Sequence, residues 1–180
     1  MTGLLRPVVT GLAAAALATV VKTKAEGVLQ PLGEKLFPPP PAAKLELGAD
    51  PGGHPENMPP SEVADRVQHL VTGDQLTDEQ RQQVSGPLHW GMGLGAGLVY
   101  ALLGERFPVV RAGGGSLFGV GLFAATHGST LPLTGVQHPV AQMPKAWWVW
   151  EAGSHVVYAL TLGLTHRLLN RVWDGVAARR

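Results

Sequence analysis

Residues 146–168 read AWWVWEAGSHVVYALTLGLTHRL. The stretch opens on tryptophans and has the length, about 20 residues, at which an apolar helix crosses a bilayer. It nevertheless carries Glu151 and His155. Ionisable groups in hydrocarbon are costly, so each needs a partner or a function. Outward from it, residues 113–131 (GGGSLFGVGLFAATHGSTL) hold His127, and residues 86–104 (GPLHWGMGLGAGLVYALLG) hold His89. All three runs combine spanning length with a titratable side chain.

The run from Pro7 to Val21 is alanine-rich, follows Arg6 and is stopped by Lys22, Lys24 and Glu26. If Lys22 reaches the headgroups, a first span covers about residues 7–23. The rival reading is a cleaved secretory signal, with Arg6 as its basic start and Ala16-Leu17-Ala18 as its small-residue site. Taken as a span, it gives an all-α fold class: one domain over residues 1–180, an integral membrane four-helix bundle with a proline-rich extramembrane loop at 24–84 carrying short surface helices. Within that loop, Gln30 to Pro60 is dense in proline, which favours extended backbone. Ser61 and Glu62 then open a pattern in which Val63, Val67, Leu70 and Val71 share a helix face, and Thr77 with Gln80 resembles a capping box.

Tryptophans sit where interfacial anchors belong: Trp90, then Trp147, Trp148 and Trp150, then Trp173. With four alternating spans, Arg6, Arg106, Arg111, Arg167, Arg171, Arg179 and Arg180 gather on one side, against Lys145 in the short link between the last two spans. The arginine-rich side is therefore expected to be cytoplasmic, with both termini there; Lys22 and Lys24 count the other way. A net charge of +1 and the lack of a basic run with interleaved aromatics argue against nucleic acid as a partner. The chain has no cysteine, which excludes disulfides, thiolate nucleophiles and cysteine-based zinc sites.

Alternating span directions and the helical rise bring Lys22, Glu26, His89, His127, Glu151 and His155 to one face as a proton-binding polar cluster. Glu151 and His155 lie four apart, one helical turn, and can share a hydrogen bond or a proton. The bland reading of each is a helix-end side chain reaching water. A catalytic residue and a cofactor are not assigned; the alternative is a metal site on His89, His127, Glu151 and His155, although no HExxH-type spacing supports it. On the opposite face Glu105, Arg106 and Arg111 read as a structural ion pair at a helix stop, Phe107-Pro108. The glycines at 91/95, 93/97 and 115/119 are four apart, the small-xxx-small spacing of close-packed membrane helices, within the chain or toward a second copy or another membrane protein. A dinucleotide fingerprint would need a preceding strand, so it is rejected.

These motifs together resemble the YagU-like family of bacterial inner-membrane proteins. They are Lys22-x-x-x-Glu26, Leu88-His89, Glu105-Arg106-Phe107-Pro108, His127 with Leu131-Pro132-Leu133-x-Gly135, and Pro144 followed by Glu151-x-x-x-His155. Ser154 stands where that pattern expects glycine. The resemblance implies a multi-span inner-membrane protein without an established activity, loosely linked to acid tolerance. Three functional expectations follow: a non-enzymatic, proton-responsive membrane protein, a membrane-embedded metal-binding enzyme, or a structural membrane subunit.

Overall fold

The computed structural model describes residues 2–179, and every regular element among them is helical. Arg180 lies outside the described residues. Seven α-helices follow one another: α1 (Thr2–Leu36), α2 (Pro41–Lys44), α3 (Pro59–Thr72), α4 (Asp78–Arg106), α5 (Ser116–Ala125), α6 (Leu131–Leu133) and α7 (Lys145–Ala177). A π turn, Thr126–Thr130, joins α5 to α6. Helix α1 packs against both α4 and α7, and α5 packs on α7, so the long elements follow the order α4, α1, α7, α5.

Small residues set these contacts. A Cβ on Gly97 would lie 2.2 Å from the Ala15 Cβ, one on Gly93 2.3 Å from the Thr19 hydroxyl, and one on Gly11 2.6 Å from the Ala101 Cβ. The residue numbers rise on α1 as they fall on α4, so the two helices are antiparallel and almost touch backbone to backbone. Gly115 and Gly119 do the same against α7, where a Cβ would come 2.5 Å from the Ala159 carbonyl oxygen and 2.6 Å from the Ala159 Cβ. The 93/97 and 115/119 pairs therefore pack within the chain, whereas Gly91 and Gly95 have open space beside them.

Large apolar side chains are abundant on the outside of the bundle. Beside the buried Tyr100, Trp147, Trp150, Tyr158 and Leu162, many buried positions are small or polar (Thr10, Ala14, Ala15, Ala18, Thr19, Ser154, Ala159), while Leu5, Leu12, Leu17, Leu117, Val120, Leu164 and Leu168 face outward. Such outward apolar surface calls for a non-aqueous neighbour. Two segments, Leu4–Leu36 and Pro108–Leu133, are long and apolar enough to cross a membrane, and only 11% of the second segment's most apolar window is buried.

Several elements depart from the sequence expectations. The first helix runs on through Pro31 to Leu36 instead of stopping near residue 23, because Gln30 and Glu34 hydrogen-bond one turn apart and Lys44 pairs with Glu34. Thr77 and Gln80 do form a capping box, but it starts α4 itself, eight residues before the expected span, so only one of the two surface helices, α3, stands alone. The third span does not begin at Gly113: Gly113, Gly114 and Gly115 take positive φ values, and the helix starts at Ser116. Trp147 and Trp150 are core residues, 1% exposed, so only Trp90, Trp148 and Trp173 stand at the surface as anchors could.

The proline-rich segment folds over the end of α1. Asp50 accepts from the Gly53 amide at 2.9 Å and from the Gln30 amide at 2.6 Å, with the Lys44 ammonium 3.5 Å away. Burial alone would raise its carboxyl pKa, but these three donors outweigh it and hold the value below the ordinary 3.8. A depressed folded value contributes stability that is fully present above the unfolded pKa and is lost as pH falls from there through the folded one. Protection of the Gly53 amide against hydrogen exchange should accordingly begin to weaken as pH falls past the ordinary 3.8 and collapse only at the lower pH where the folded carboxylate takes up its proton. In Asp50→Asn it should be weak already at neutral pH.

Candidate functional site

The π turn decides where His127 points. Pro132 has no N–H to offer the Gly128 carbonyl and its ring crowds that oxygen, so the turn before it widens. The Ser129 and Thr130 hydroxyls both donate to the Ala125 carbonyl at 2.7 Å and hold the wider turn. His127 is thereby directed inward, toward the first turns of α7.

There Glu151, 3% exposed, is the centre of the site. One of its oxygens, Oε1, is approached by His155 Nδ1 at 3.1 Å, His127 Nε2 at 3.3 Å and Lys22 Nζ at 3.6 Å. Lys22 also pairs with Glu26 one turn further along α1, and the Ser154 hydroxyl lies 3.5 Å from Glu26. Two carboxylates thus share one ammonium in a site that water barely reaches, an arrangement that is costly unless every partner is in place.

The imidazole protons follow from their partners. His155 Nδ1 faces two acceptors, the Glu151 carbonyl at 2.9 Å and Glu151 Oε1, so Nδ1 carries the proton and Nε2 is left as an acceptor. Gln137 donates its amide to the His138 carbonyl at 3.4 Å and turns its oxygen to His127 Nδ1 at 2.5 Å, so His127 Nδ1 also donates. His127 Nε2 then meets the Glu151 carboxylate, and two lone pairs cannot face each other at that distance without a proton or another cation between them.

His89 lines the same space from α4 without a hydrogen-bond partner among the described residues. The space is a half-enclosed cavity of about 390 Å³ bordered by α1, α4, the α5–π segment and α7, with Met58, Pro59 and Pro60 across one end. Lys22, Glu26, His127, Glu151 and His155 are therefore in one contact network, with His89 on its wall. At the other end of the bundle Glu105 accepts from Arg111 at 2.7 Å and Arg167 donates to the Arg111 carbonyl, whereas Arg106 makes no ion pair among the described residues. Arg6 pairs there with Asp174 at 2.9 Å, which places both described ends of the chain on that side.

Two residues not singled out from the sequence, Gln137 and Tyr158, complete the site with Ser154, which the sequence marked only as a departure from the family pattern; Tyr158 donates to the Gly93 carbonyl at 2.6 Å. Of those two, only Gln137 had an outward sign, its place just after the Pro-Leu-x-Gly turn. Ligand atoms of His127, Glu151 and His155 lie within 4.8 Å of one another, a spacing a metal ion accepts, and the Lys22 ammonium already stands beside the same carboxylate.

The family model described as "Protein of unknown function (DUF1440)" matches residues 16–164, in agreement with the uncharacterised family that the sequence motifs resemble. No curated protein and no solved structure matches the chain.

Proposed function

We propose that this chain, which belongs to the DUF1440 family of proteins of unknown function, is a multi-pass membrane protein whose Glu151 centre holds and exchanges protons. In this reading α1, α4, α5 with its π turn, and α7 cross the inner membrane of a bacterium as a four-helix bundle. Helices α4 and α7 are less apolar than the other two because they carry His89, Glu151 and His155 inward. The end shared by Arg6, Arg106, Arg111, Arg167 and Arg171 is cytoplasmic, by the excess of arginine there.

The observation that carries the proposal is the convergence of Lys22, His127 and His155 on one oxygen of a buried carboxylate. The slot between His127 Nε2 and Glu151 needs a cation, and a proton fits it without displacing Lys22. Acid tolerance, which the family resemblance suggests, would be one consequence of such a site.

Reconstituted protein should show proton flux, or a melting temperature, that varies between about pH 5 and 8. Glu151→Gln and His127→Gln should flatten that profile while the helical spectrum is retained. Unchanged profiles in both folded variants would overturn the proposal. The second reading, a divalent ion on His127, Glu151 and His155, rests on their mutual spacing. Stoichiometric zinc, iron or manganese in the purified protein would favour it over proton exchange.

A further inference from the structure

The cavity beside Glu151 is chemically two-ended. Its polar end presents Lys22, Glu26, His89, His127, Glu151 and His155, while Met92, Ala96, Val99 and Leu122, further along α4 and α5, line the rest. Helix α4 packs on α1 and α5 packs on α7, with no close α4–α5 packing, so the apolar part of the cavity lies between α4 and α5, whose outward faces are themselves apolar. A pocket of about 390 Å³ is within the range of small-molecule sites.

We propose that this cavity binds a single-chain amphiphile whose head is a protonated amine, with the chain leaving between α4 and α5. The inference rests on the membrane reading given above, and the amine answers the same negative charge as the exchanged proton.

The charge and hydrogen-bonding sense of the polar end select the head. Two carboxylates, Glu26 and Glu151, face the single ammonium of Lys22, which leaves one negative charge without a fixed partner when the imidazoles are neutral. His155 has its Nδ1 proton committed to the Glu151 carbonyl, so its Nε2 is an acceptor, and His89 has no hydrogen-bond partner among the described residues. Tyr158, Thr19 and Thr126 have already spent their hydroxyl protons on backbone carbonyls. The end therefore offers acceptors and a net negative charge, which suit an N–H donor carrying positive charge and repel a carboxylate or phosphate. A neutral alcohol would leave the charge unmatched.

The wall at Gly95 provides a clean test. Gly95 lines the cavity, and a Cβ there meets nothing within 4 Å, so Gly95→Phe fills the apolar part without disturbing the α1–α4 contact. Full-length protein in nanodiscs is titrated with dodecylamine, dodecanol and dodecanoate, and binding is read by native mass spectrometry. Dodecylamine should bind one per chain, about tenfold or more tighter than the alcohol, the worth of one charge-assisted hydrogen bond. Glu26→Gln should bring the amine to the level of the alcohol, and Gly95→Phe should abolish binding of both while leaving the pH profile of the protein unchanged.

Equal binding of all three probes, preference for dodecanoate, or undiminished binding in Gly95→Phe would overturn the proposal. A flat pH profile in the wild-type protein with selective amine binding would remove the proton proposal and leave this one standing. Release of the wild-type protein from membranes by alkaline carbonate would remove the shared premise of both.

Discussion

Replacing Lys22 by methionine is expected to destabilise the protein by about 3–5 kcal/mol, the usual cost of leaving a buried charge without its partner. Methionine matches the length and apolar stem of lysine, so the change removes the ammonium more than the packing. Glu26 and Glu151 then face each other across the site with no fixed cation, and Glu151, 3% exposed, cannot turn to water. The thermal midpoint in detergent or nanodiscs reports the loss. The triple variant Lys22→Met, Glu26→Gln, Glu151→Gln removes all three charges together and should recover most of it, because a buried ion pair contributes less than the penalty for breaking it. If the single variant melts like wild type, Lys22 is solvated and the centre is not the closed charge network described here.

Gly163→Ala is the second large expected loss, about 3 kcal/mol, at the upper end of what overpacking costs. A Cβ at Gly163 would stand 1.9 Å from the Gly114 carbonyl oxygen and 3.1 Å from the Tyr100 hydroxyl. The Gly114 backbone cannot easily retreat, since it sits at φ +73° between two other left-handed glycines. The backbone of the triple-glycine turn is thus pressed against α7, and only a hydrogen fits between them. Gly175→Ala on the same helix is the control, with nothing within 4 Å of its Cβ. It should stabilise slightly, by up to about 1 kcal/mol, as alanine does in an open helix. Similar melting of the two variants would show that α7 and the glycine turn do not meet.

The helical class was legible because the apolar runs are too long for strands, although only two of the four read as spans are long and apolar enough to cross a membrane, and so was the four-residue spacing of glycines that lets α1 meet α4. Helix ends were less so. Residues 24–36 look like the start of a loop because they mix charges with Pro31, but they form side-chain pairs one turn apart and dock on α7, where a Cβ on Gly33 would come 2.8 Å from the Ala146 carbonyl oxygen. Tertiary packing of this kind outweighs local propensity. The three glycines at 113–115 read as a helix start under an apolar-run criterion, although their freedom at positive φ makes them a turn.

The candidate site divides along the same line. Alternating helix directions predict which ends share a face, and that places Lys22, Glu26, His89, His127, Glu151 and His155 at one end of the bundle. Which atom meets which depends on rotations about helix axes and on the π turn, and a periodicity argument carries neither. Gln137 reaches His127 only because the chain doubles back after Pro132, and the glutamine in turn fixes which imidazole nitrogen faces Glu151. Trp147 and Trp150 illustrate the converse: tryptophans at a span entrance suggest anchoring to headgroups, yet α7 turns these two into the interior beside Phe123 and Met143.

The most direct test of the buried centre is a solid-state NMR measurement, in lipid bilayers, of dipolar coupling between the His127 ring nitrogens and the labelled side-chain carboxyl carbon of Glu151. The structure predicts a measurable coupling to Nε2, whose distance to Oε1 is 3.3 Å. A folded, membrane-inserted protein with no coupling between the two side chains would contradict the account.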